Sequence, residues 1–126
     1  MNERAYAEFA DWLKRVSQSS LPPAGIAAYY LGIFETESGY VAHLSGSREY
    51  DPADDDWACR EDYVPAEKYF ELRESFTLGT DWREVQRVLG SFVKRFIETP
   101  SSSGSFLADG SVVAVGFDDG DLARVA

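Results

Sequence analysis

The sequence predicts an α+β domain in the order αβββαββ, an antiparallel sheet of about five strands with two amphipathic helices packed on one face. Two stretches repeat apolar residues at helical spacing, one near the start and one between Asp81 and Pro100. Between and after them lie aromatic and β-branched runs bounded by turn residues. No internal repeat or shift in composition divides the chain, and its 126 residues, 44% apolar and 14% aromatic, fit one domain, 1–126, around one core.

The first helix rests on Tyr6, Phe9, Leu13 and Val16, with Trp12 beside them and Glu3, Glu8, Asp11, Lys14 and Arg15 on the remaining face. Asn2 is its candidate N-cap, and the helix is expected to fade through SQSS before Pro22-Pro23. AAYYLGIFET and YVAHLSGS, joined by Glu37-Ser38-Gly39, read as an antiparallel hairpin. A short strand follows around KYFEL, where alternation sends Tyr69 and Phe70 to opposite faces.

The second helix has the clearest pattern. Asp81 as N-cap and Glu84 three residues later form an aspartate version of the capping box. Val85, Val88, Leu89, Phe92, Val93, Phe96 and Ile97 then make one apolar stripe. Gly90 within it suggests a close contact with the sheet. Pro100 and SSSGS end the helix. VVAVGF, a turn through Asp118-Asp119-Gly120-Asp121, and LARV make a closing hairpin, with Asp-Gly as its turn signal.

Charge is unevenly spread. The chain carries 22 acidic and 12 basic side chains, net −10, and residues 35–74 alone hold twelve acids against four bases. That balance argues against nucleic acid as a direct ligand, because phosphate binding needs a basic patch, and against an anionic membrane surface. A basic protein surface or a cation fits it. The one cysteine, Cys59, cannot form an intramolecular disulfide or a cysteine-rich zinc site. The longest uncharged run, residues 21–34, is too short to span a bilayer. A reduced, cytoplasmic protein with no membrane segment and no cofactor is the expectation.

The candidate site is REYDPADDDWACREDY, residues 48–63, with Tyr50, Asp51, Asp54, Asp55, Asp56, Trp57, Glu61, Asp62 and Tyr63 as its binding residues. It fails as an EF-hand: counted from Asp51, position three is Ala53 and position six is Asp56 where glycine belongs. Clustered carboxylates still leave a less regular metal site, or a metal-dependent enzyme, as the alternative reading. Acidic neighbours raise a thiol pKa, so Cys59 is a poor nucleophile. His43, the single histidine, sits on a strand as a packing or edge residue, and no phosphate loop, nucleophile elbow or paired-histidine motif is present. Asp118, Asp119 and Asp121 read as turn residues. A docking surface is the preferred reading: carboxylates speed encounter with a basic partner and aromatics anchor it, while Trp57 and Tyr63 also tie the loop to the domain.

GSREYDPADDDWAC, VPAEKYFEL and VAVGFDDGDL together resemble small uncharacterised bacterial proteins of this length, over residues 26 to 125. In general style, an acidic α+β domain without a catalytic motif, the chain is similar to immunity proteins of bacterial toxin systems. That resemblance implies an inhibitor of a basic toxin, with Asp54, Asp55, Asp56 and Trp57 as natural contact residues.

Overall fold

The computed structural model describes residues 3–37, 39–72, 82–99, 106–108, 111–118, 120 and 122–125. Helix α1 (Glu3–Ser19) buries Phe9, Trp12, Leu13 and Val16 completely. It runs through most of SQSS, because the Ser17 and Ser19 hydroxyls donate back to the Leu13 and Arg15 carbonyls and so fit the last turn. Strands β1 (Ala28–Thr36) and β2 (Gly39–Ser47) form an antiparallel hairpin with Thr36 opposite Gly39. Gly39 has φ of +135°, a conformation that glycine alone adopts cheaply.

A 3-10 turn (Asp55–Cys59) precedes β3 (Tyr69–Leu72), which pairs antiparallel with β2. Helix α2 (Trp82–Glu98), a second 3-10 turn (Phe106–Ala108), β4 (Val112–Phe117) and β5 (Leu122–Arg124) complete the described elements. The two 3-10 turns are additions to the order expected from the sequence. The expected caps Asn2 and Asp81, the SSSGS connection, and Asp119 and Asp121 of the last turn lie outside the described residues.

The sheet is mixed, which corrects the expectation of a wholly antiparallel one. Its order is β3-β2-β1-β4-β5, and β4 runs parallel to β1, with Ala28 beside Val112 and Ile33 beside Phe117. The reason is connectivity. Strands β1 and β3 both pair antiparallel with β2, so they point the same way. Helix α2 then returns the chain to the end where β1 starts, and β4 enters beside β1 in the same direction.

Both helices pack on one face. Tyr29, Leu31 and Ile33 of β1, Ala42 and Leu44 of β2, and Val113 and Val115 of β4 meet Phe9 and Leu13 of α1 and Val85, Leu89, Phe92 and Phe96 of α2. Each large side chain fully withdrawn from water there contributes about 1.5–3 kcal/mol. Phe70 of β3 stacks on Trp12 at 5.3 Å, while Tyr69 points to the other face and is 55% exposed. Among the described residues no helix covers that second face. Ala28, Tyr30 and Ala114 are buried there beneath Trp57 of the acidic loop.

Candidate functional site: the acidic loop and the face it covers

The loop after β2 is held from within. Its first turn closes when the Asp51 carboxylate accepts the Ala53 amide (2.9 Å), its second when Asp54 accepts the Asp56 amide (3.0 Å) and caps the 3-10 turn. The Arg60 amide donates to the Trp57 carbonyl and ends that turn. Small residues at 28 and 114 leave depth for the Trp57 indole, which is 5% exposed and edge-on to Tyr50 at 5.3 Å. Tyr63 then pairs with Gly46 in an isolated antiparallel bridge, and its ring enters the helix-side core against Tyr29 and Phe106.

The nine sequence-predicted residues therefore separate. Trp57 lies under the loop and Tyr63 in the opposite core, so the structure does not bring Tyr63 to the acidic surface. Tyr50, Asp51, Asp54, Asp56 and Trp57 line one open cleft of about 630 Å3. Asp62 accepts the Arg48 amide at 2.9 Å and the Arg60 guanidinium at 3.1 Å, in that order the causes holding its carboxyl below the usual range. Glu61 accepts from Lys68 Nζ at 2.6 Å, which raises the lysine pKa. Asp55 and Asp56 are both exposed and form no ion pair with a described residue.

Beside the loop, the open sheet face brings together three polar groups that the sequence leaves far apart. Tyr30 Oη donates to Asp118 Oδ1 at 2.8 Å, and His43 Nε2 donates to the same carboxylate at 2.8 and 3.0 Å. The parallel pairing of β1 and β4 creates this contact by placing Asp118 just past Phe117, whose neighbour is Ile33. Gly32, opposite His43 and Gly116, makes the space. A Cβ there would stand 2.3 Å from His43 Nε2 and 2.5 Å from Asp118 Oδ1. A strand glycine between large residues is the one sequence signal that marked a close approach.

Ser45, Asp55, Cys59 and Glu61 share a cleft of about 360 Å3 with this trio. Its arrangement suits hydrogen bonding and charge attraction better than proton transfer. One histidine nitrogen is taken by Asp118, and the other, Nδ1, is buried without a partner among the described residues, so neither faces a dissolved substrate as a base. Among the described residues no group of three or more His, Cys, Asp and Glu side chains is placed to hold a metal ion.

Comparison with protein-family models, curated proteins and solved structures returns no match for this chain. No described helix is long and apolar enough to cross a membrane.

Proposed function

We propose that this chain is a small acidic binding protein of the bacterial cytoplasm, an immunity-type inhibitor that docks a basic partner protein through loop 50–63. One observation carries the reading: Asp55 and Asp56 project without ion-pair partners among the described residues, from a turn pinned by Trp57 and capped by Asp54. A surface of this kind loses little order on binding, and its charge steers a cationic partner into contact. The remaining carboxylates of the loop are engaged within the chain and serve chiefly to hold it. The single cysteine agrees with a reducing compartment.

Asp55→Lys with Asp56→Lys is the test, because neither side chain forms a hydrogen bond or ion pair with a described residue. Tagged wild type and variant are used in parallel to capture partners from lysate of the source cells, eluted with salt and identified by mass spectrometry. A basic protein retained by the wild type, released by salt, and associating about tenfold or more slowly with the variant supports the reading. Equal capture by both removes the loop from the interface.

A further inference from the structure

The groove between α2 and the edge strand β5 has the opposite character to the acidic loop. It holds about 580 Å3, within the range of ligand-binding clefts. Val115, Ala123 and Val125 line its sheet side, where Val115 is covered by the core and Ala123, one pair further toward the sheet edge, is exposed. Arg83, Arg87 and Lys94 stand at helical spacing along the wall, while the Arg124 guanidinium turns away from β5 toward the Tyr50 ring on the loop's side of the sheet. No carboxylate lines the groove among the described residues, although Glu84 pairs with Arg87 beside it. Three cations along one apolar strip run against the net charge of −10.

Gly90 lies in the same wall and gives a second, independent observation. Its φ is not positive, and an added Cβ would meet Val125 Cγ1 at 3.4 Å, an ordinary contact distance. Neither the backbone nor the packing of described atoms demands a glycine there. What the missing side chain does provide is depth.

We propose that this groove binds an extended acidic segment of a partner polypeptide. Its carboxylates would meet Arg83, Arg87 and Lys94, and its apolar side chains would cover the floor. The spacing of the cations favours this occupant over a compact anion. Arg83 and Lys94 are eleven residues apart, roughly 16 Å at about 1.5 Å of rise per residue, so they follow a strand and do not converge on one group. Nucleic acid fits less well, because its phosphates would continue into the acidic loop, which begins where Arg124 lies over the Tyr50 ring at 5.8 Å. The site shares no residue with Asp55 and Asp56, so its failure leaves the proposed function standing, and the reverse also holds.

Fluorescence anisotropy decides the matter with a short labelled peptide of alternating Glu and Leu, its Lys-for-Glu counterpart, and a labelled single-stranded oligothymidylate. The full chain is compared with Arg87→Gln plus Lys94→Gln, two exposed positions, and with Gly90→Leu, which fills the wall without altering charge. The acidic peptide is expected to bind the wild type in preference to both other probes, and the charge variant should weaken it about tenfold. Gly90→Leu should weaken it as well with helicity unchanged by circular dichroism; if that variant does not fold, the charge pair alone decides. No binding at millimolar peptide, or binding indifferent to the charge pair, overturns the proposal. Tighter binding of the oligonucleotide also overturns it, as does a wild-type dimer in sedimentation that the charge variant dissociates, since the occupant would then be a second copy.

Discussion

At the scale of single residues, Gly32 and Tyr63 show how one atom's surroundings set a measurable property. Gly32 exists where it does because the His43–Asp118 pair occupies the space of a β-carbon. Gly32→Ala is expected to cost about 1–3 kcal/mol in urea unfolding, by pushing that pair apart. In a His43→Ala background the same change should cost clearly less, since the obstructing ring is gone; equal costs would show that the strain lies elsewhere. Tyr63 donates its hydroxyl to the Ser20 carbonyl, and burial pushes its pKa up to about 12 from the ordinary 10. Above pH of about 10 the unfolded chain gives up this proton while the folded chain keeps it. The raised pKa therefore stabilises fully below that point and fades as pH climbs toward about 12. The stability difference between wild type and Tyr63→Phe should accordingly narrow from pH of about 9 to about 11, and a constant difference would mean that the phenol is not held from water.

At the scale of elements, most of the sequence's periodic signals became structure for the reason they were readable. A stripe at 3.6-residue spacing, or a run of aromatic and β-branched residues between turn signals, is a local property, and α1 and α2 follow the first as β1 and β2 follow the second. Gly90 is the exception within α2. The sequence suggested that it permits a close contact with the sheet, yet the nearest described atom to an added Cβ is 3.4 Å away. Gly90→Ala should therefore gain about 0.5–1 kcal/mol from helix propensity, read as a raised urea midpoint. A loss of stability would show that the contact with Val125 is tighter than its distance implies. The acidic loop teaches the complementary lesson. Its aspartates were legible as a group, but only the hydrogen bonds separate Asp51 and Asp54, which build turns, from Asp55 and Asp56, which do not.

At the scale of the whole molecule, charge and topology organise the surface. The chain's excess of carboxylates repels itself, and replacing Asp55 and Asp56 by lysine moves the formal charge of −10 toward neutrality without removing a hydrogen bond or ion pair among the described residues. The variant that tests partner docking is thus expected to keep or slightly raise the wild-type Tm, so weaker association could not be ascribed to unfolding. The sheet distributes that charge in an ordered way. One face is filled by two helices; the other is partly filled by a loop whose indole plugs the space above Ala28 and Ala114. The acidic surface and the basic groove meet at the β5 edge, at the contact between Arg124 and Tyr50.

The sequence by itself determined which segments are helices and strands, which of their sides are apolar, and where acidic charge concentrates. These follow from spacing within a few residues and from composition. Tertiary structure alone decided that β4 lies parallel to β1, because that pairing depends on how α2 returns the chain and not on either strand's own pattern. From that one choice come the meeting of Tyr30, His43 and Asp118 and the groove floor beside α2. Such contacts join residues many positions apart, and only the assembled sheet brings them within hydrogen-bonding distance.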